Sequence, residues 1–315
     1  MASLLLFKML SSFKISFCGN ISGVQESKMN KKEAVINNLK NGLYIISTPI
    51  GNLDDLSKRA ILVLTGVDLI ICENPKHSIK LLNKLGIKKK LISLHDYNEE
   101  KIIDKISSYQ DISKIGLISD AGAPLISDPG YKLVQSYIKK GIMITSIPGP
   151  SSLITSLQLS GLPINNFIFY GFLPKNEKKM NEIIIKTDEH GLTSIFFVSG
   201  KNLEKLVKII NRSFSDNDIS ICKELTKLNE TIHRGSASSI YEKILKKQIN
   251  LKGEFVLILA AKPKKDKIIV DKNIQDQISK LLKKYSLTET VKIVHNLTNI
   301  SKNDVYKITI KIKDK

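Results

Sequence analysis

Arginine is scarce in this chain. Arg59, Arg212 and Arg234 are the only three among 49 basic residues, yet the net charge is +19 at pH 7, against 30 acids. The excess is therefore almost all lysine. It points to a polyanionic partner whose phosphates the lysines would neutralise, although a lysine-rich surface spread thinly for other reasons would give the same figure. Cysteine is also rare. Cys18, Cys72 and Cys222 lie far apart with no metal-ligand spacing, which fits a reduced, cytoplasmic compartment and no disulfide framework. The five histidines are scattered, and no structural metal is expected. No apolar run is long enough to span a bilayer, so a membrane is not an expected partner.

Several chemical signatures are missing as well. No G-x-G-x-x-G follows the first strand, which weakens a nicotinamide or flavin reading. No G-x-x-x-x-G-K-[ST] is present; Ser199-Gly200-Lys201-Asn202 carries Asn where Ser or Thr should stand. There is no serine elbow, and no acid pair is poised for hydrolysis.

What is present is alternation. Residues 1–41 read as a leader: the first 28 hold no acid before Glu26 and an apolar run broken by Lys8. They resemble a weak targeting segment, or translation begins at Met29. From Gly42, short apolar runs at 43–47, 67–73, 90–94, 114–120 and 142–148 alternate with amphipathic stretches, the pattern of a parallel, doubly wound sheet. This first α/β domain spans 42–161. A second α/β domain, 162–262, carries strand-like runs at 167–174, 193–199, 218–225 and 253–261. Residues 263–315 hold 13 lysines against 6 acids and predict a basic tail with two short helices, 286–297 and 299–312. A solvated cap and an RNA-contacting module explain that tail about equally well.

Three loops, each rich in small and polar residues, end at one edge of the first sheet: 47–55 (STPIGNLDD), 119–130 (SDAGAPLISDPG) and 148–152 (PGPSS). In open α/β sheets ligands bind at the carboxyl ends of strands, and small residues let a ligand approach bare backbone. Such a wall suits a flat, polar, mostly uncharged cofactor. Asp128 reads as the cap of the following helix.

These residues also carry a resemblance. LYIISTPIGNLDDLSKRAILVL, LISDAGAPLISDPGYKLV, IPGPSSLITSLQLSGLP and FYGFLPK resemble the tetrapyrrole-methylase superfamily, and within it the bacterial ribosomal RNA small subunit methyltransferase I family. The likeness runs from about Gly42 to Lys262, with the tail similar to that family's C-terminal extension. It implies a two-domain tetrapyrrole-methylase-like fold and a homodimer. It also implies S-adenosylmethionine-dependent methylation of a cytidine ribose 2′-hydroxyl in small-subunit rRNA, near the decoding region.

By motif match, the cofactor wall would include Pro49, Gly51, Ser119, Asp120, Ala121, Gly122, Pro148, Gly149 and Ser151. A base for the ribose hydroxyl would come from Glu73, ranked ahead of His77, His95 and Glu224. Lys58, Lys76, Lys175 and Lys227 would hold RNA phosphates. The family's Glu-Asp-Thr-Arg-His-Thr run stands here as Glu73-Asn74-Pro75-Lys76-His77-Ser78, and lysine does not replace arginine in a bidentate phosphate contact. The alternatives are a same-fold enzyme acting on a tetrapyrrole or another acceptor, and a non-catalytic RNA-binding relative.

Overall fold

The computed structural model describes residues 36, 38–109, 112–261, 272–298 and 300–313; the proposed leader falls almost wholly outside them. The described residues up to Ala260 form one compact unit and those from Ala261 a second.

The first sheet contains β1 (Gly42–Ile46), β2 (Leu69–Cys72), β3 (Lys90–Ser93), β4 (Lys114–Ile118) and β5 (Ile144–Ile147). All its pairings are parallel, in the order β3-β2-β4-β1-β5. Side chains alternate across it with period two. Leu43, Leu69 and Ile71 enter one apolar cluster, while Tyr44, Ile46, Ile70 and Cys72 enter the other. The second cluster also takes Ala60, Val63 and Leu64 of α1 (Lys58–Gly66) and Leu82 of α2 (Pro75–Lys84). The first takes Ile102 and Ile106 of α3 (Glu99–Ser107) and Leu133 and Tyr137 of α4 (Tyr131–Lys139). Both faces of the sheet are therefore covered, as the near-continuous apolar strands require. The loops leaving the neighbouring strands β4, β1 and β5 open together at one edge.

The second sheet differs from the first. Its strands are β6 (Phe167–Phe172), β7 (Thr193–Ser199), β8 (Asp218–Lys223), β9 (Thr231–Ser236) and β10 (Glu254–Leu259), in the order β6-β7-β10-β8-β9. Only β6 and β7 run parallel; the other pairs are antiparallel. The polar edge strand β9, TIHRGS, has no fully buried residue, so its sequence lacks the apolar run that marks the other strands. Three helices, α6 (Glu177–His190), α7 (Gly200–Phe214) and α8 (Ala237–Leu245), share one core with the sheet. A separate cluster takes residues from β7, β8 and β10 together with Leu157 of α5 (Ser152–Ser160) and Ile50 of the loop after β1.

Among its described residues the tail unit holds three helices rather than two: α9 (Lys272–Leu282), α10 (Leu287–Leu297) and α11 (Lys302–Lys313). Ile278, Val291, Val294 and Val305 form its core. Ser286 and Glu289 close a reciprocal cap at the start of α10, which satisfies helix-end donors that would otherwise have no partner.

Asp128 does not cap α4. Glu99, only 5% exposed, does so from α3: its carboxylate accepts the backbone N–H of Gly130, Lys132 and Leu133 at 3.0, 2.8 and 3.2 Å. A side chain 31 residues away thus anchors the end of the 119–130 loop and leaves Asp128 free of that duty. Glu99→Ala would strand buried N–H donors, and a loss of about 2 kcal/mol of stability is expected, measured by denaturant unfolding.

Candidate functional site

The loops after β1 and β4 are tied backbone to backbone. Thr48 N–H donates to the Gly122 carbonyl at 2.8 Å, and Gly122 N–H returns the bond to Thr48 at 3.0 Å. The buried Thr48 hydroxyl donates to the Ser119 carbonyl at 3.2 Å, and the Ser119 hydroxyl donates to the Gly122 carbonyl at 3.2 Å. Gly122 sits at φ +82°. A Cβ there would lie 3.2 Å from Ile50 Cγ2, so glycine serves both the turn and the close approach.

This knot forms one side of a cleft of about 340 Å³, lined also by the second sheet. That size falls within the range of small-molecule sites, ~300–1,000 Å³. Asp120, Ala121, Gly122, Asp128 and Ser151 line the first-sheet side. Phe197, Val198, Leu225, Gly253 and Val256 line the other, with Phe172 from β6. Ser151 additionally caps α5 by accepting from Ile154 N–H.

Asp120, Ala121, Gly122 and Ser151 thus meet on the wall where the motif match put them. Pro49, Gly51, Ser119, Pro148 and Gly149 do not line the cleft; Gly51, Ser119 and Gly149 brace it. A Cβ on Gly149 would lie 3.0 Å from the Ser47 Cβ. One on Gly51 would lie 2.5 Å from Lys227 Cγ and 2.7 Å from Thr226 Oγ1, and Asn52 N–H donates to that same Thr226 hydroxyl at 3.1 Å. Gly51 therefore seats the β1 loop on the turn after β8. That turn is strained, with Glu224 and Thr226 at φ +50° and +64°.

The residues from the second sheet were not legible beforehand, because apolar strand residues facing a cleft read the same as core. Asp128 could have been found as the second acid of a Ser-Asp pair that a single cap does not use.

Three carboxylates influence one another here. Asp120 accepts the Asn74 backbone N–H at 3.2 Å. Burial raises the Glu73 carboxyl, and the charge of Asp120 adds to that. Asp128 is pushed up to about 6, first by burial and then by Glu73, with a Ser119 hydrogen bond opposing. Glu73 itself is not on the cleft wall. Among the described residues no group of His, Cys, Asp and Glu is arranged to hold a metal. Cys222 lines the cleft, but burial pushes its thiol up to about 11, which leaves it protonated and poorly nucleophilic at neutral pH.

The remaining candidates divide. Glu224 is held ionised, its carboxyl lowered first by the Glu254 backbone N–H and then by Lys227. Lys227 sits between Glu224 (3.3 Å) and Glu254 (2.7 Å), so its charge is already matched. Lys58, Lys76 and Lys175 are exposed. His77 is exposed on the first turn of α2, and His95 Nε2 lies 2.9 Å from the Ser93 hydroxyl.

A bound S-adenosylmethionine meets a compatible surface here. The apolar second-sheet wall suits a flat nucleoside, the small residues Ala121 and Gly122 suit close approach, and Asp120 and Asp128 supply negative charge for a cationic donor.

The model of one family, Tetrapyrrole (Corrin/Porphyrin) Methylases, matches residues 42–241. Curated proteins called "Ribosomal RNA small subunit methyltransferase I" are similar over most of the chain. That of Escherichia coli O157:H7 is 33% identical across 89% of this chain and 98% of its own. That of Rickettsia prowazekii is 39% identical across 80% and 90%, and that of Halalkalibacterium halodurans 39% across 70% and 76%. Among solved structures, diphthine synthase superposes with a TM-score of 0.53 at 13% identity, covering 69% of this chain and 89% of that one. A cobalt precorrin-4 methyltransferase of cobalamin biosynthesis does so with 0.51 at 16%, covering 69% and 94%. At those identities the likeness speaks for the fold alone.

Two outcomes follow from the site's packing and charge. Gly51→Ala overpacks the Thr226–Lys227 turn, and a loss of roughly 1–3 kcal/mol is expected in chemical unfolding. Because the Asp128 carboxyl is raised from 3.8 to about 6, the native state holds the proton more tightly than the unfolded chain does. Its contribution to stability is present below pH 4 and is lost as pH rises through 6. Asp128→Asn is expected to remove that decline, read by unfolding at pH 4.5 and 7.5.

Proposed function

The chain belongs to the tetrapyrrole (corrin/porphyrin) methylase family and, within it, to the ribosomal RNA small subunit methyltransferase I group, and from that premise we propose its reaction. It methylates small-subunit rRNA, using S-adenosylmethionine, at the ribose 2′-hydroxyl of a cytidine near the decoding site. It works as a homodimer in the cytoplasm. Among the described residues no helix is long and apolar enough to cross a membrane. The observation that carries the reading is a cleft bearing Asp120 and Asp128 beside an apolar wall in a protein of net charge +19. The acids suit a cationic donor inside, and the basic exterior suits a polyanionic acceptor outside.

When bound, S-adenosylmethionine supplies an electrophilic methyl carbon. The chain's own residues do the rest. The wall from Asp120 to Gly122 and the residues Ser151 and Val256 would hold and orient the donor, the positioning that such a transfer needs. Asp128 would take up the proton that the ribose hydroxyl gives up; a carboxyl raised to about 6 is a stronger base than an ordinary one yet still ionised at neutral pH. Glu73 acts through Asp128 by keeping that carboxyl raised. Lys58, Lys76 and Lys175 meet RNA phosphates, whereas Lys227, paired with two acids, chiefly holds the turn.

Labelled S-adenosylmethionine should transfer methyl to undermethylated small ribosomal subunits, run beside naked rRNA and a porphyrinoid. Mass-spectrometric mapping is expected to find a ribose-methylated cytidine in the subunit sample. Transfer to the porphyrinoid alone would overturn the reading. Asp128→Asn is expected to lower kcat about 10²–10⁴-fold, well beyond the loss of donor affinity, read by calorimetry, that removing one of the two cleft acids causes. For the unaltered enzyme, kcat/KM should fall as pH drops below about 6.

A further inference from the structure

Phe172 is left open at the cleft, 65% exposed, although it ends a strand of the second sheet. The exposure is built into the backbone. The β6–β7 register shifts between Phe169 and Phe172, and such bulges re-aim a side chain. Gly171 within the bulge is at φ +65°, and a Cβ there would lie 3.0 Å from Ser127 Oγ. The bulge is therefore seated on the loop that presents Asp128, and Phe172 shares the cleft with that acid. Its ring meets Phe197 edge to face at 5.4 Å, and Phe197 meets Phe169 in the same manner at 4.8 Å. The ring is thus braced while most of its surface stays open.

No other group in the cleft can receive a flat ring so readily. Tryptophan is absent, and among the described residues neither tyrosine nor histidine lines the cleft. Phe255 is 3% exposed, and Phe197 is committed to its two neighbours. The arginines are engaged elsewhere: Arg234 with the Leu159 and Ser160 carbonyls, Arg59 with the Ser146 carbonyl, and Arg212 beside Glu177.

We infer that Phe172 is the stacking platform for the base of the nucleotide whose ribose is methylated. The inference rests on the RNA reading above. A ribose hydroxyl reaches the interior of a cleft only when its nucleotide leaves the base stack, and an aromatic face at the mouth recovers the lost stacking. Stacking on a phenyl ring tolerates any base. Phe172 therefore positions the nucleotide, and selection of cytosine falls to other contacts.

The test compares the unaltered protein, Phe172→Ala and Phe172→Tyr. With undermethylated subunits, Phe172→Ala is expected to lower kcat/KM roughly ten- to a hundredfold, and Phe172→Tyr to restore most of it. Affinity for S-adenosylmethionine, read by calorimetry, should not change. An RNA fragment carrying a stacking-quenched fluorescent cytidine analogue at the mapped position, or at each cytidine in turn if none is mapped, should dim on the unaltered protein and stay bright on Phe172→Ala. Equal kcat/KM and equal quenching in Phe172→Ala would overturn the platform. So would a parallel loss of donor affinity, which would place Phe172 on the donor instead. Quenching by an unaltered protein that transfers no methyl would overturn the reaction and support the platform; methyl transfer without quenching would do the reverse.

Discussion

Two backbone hydrogen bonds between Thr48 and Gly122 hold together everything the site depends on. They join loops that leave neighbouring parallel strands, so Ile50, Asp120 and Gly122 reach the cleft together. Each end of this knot is then anchored at a distance. Gly51 lets the β1 loop press on the turn after β8. Glu99 holds the end of the β4 loop by capping α4. A wall for a small molecule needs such over-determination, because loop backbone otherwise carries polar groups without partners and moves.

The charge distribution runs in two directions at once. Lysine dominates the chain, yet the cleft gathers Asp120, Asp128 and, just off its wall, Glu73. Burial and neighbouring acids then raise the Glu73 and Asp128 carboxyls, and Asp128 stands near 6. Where an acid is meant only to hold structure, the surroundings do the opposite. Glu224 receives a backbone N–H and Lys227 and is pulled down. Two acids of the same kind of chain thus take different roles from their neighbours alone.

Much of the fold was legible. Apolar runs bounded by glycine and polar turns located five strands of the first sheet and four of the second, because buried strands demand such runs. β9 escaped because an edge strand half open to water needs no apolar run. The helix α9 escaped inside a lysine-rich stretch, where charge masked its apolar spacing. In the site, Asp120, Ala121, Gly122 and Ser151 were legible as small polar residues after strands. Gly51 and Gly149 were legible as special, and the structure shows a close packing approach at each.

The sequence by itself determined the alternation of strands and helices, the three small-residue loops and the basic charge, since these depend on local period and composition. Only the tertiary structure decided that Glu99 and not Asp128 caps α4, that Lys227 is spent on Glu224 and Glu254, and that Phe172 is turned out beside Ser127. Each of those outcomes rests on a contact between distant residues, Glu99 with Gly130, Lys227 with Glu254 and Gly171 with Ser127, and no local pattern records which distant partner will be nearest.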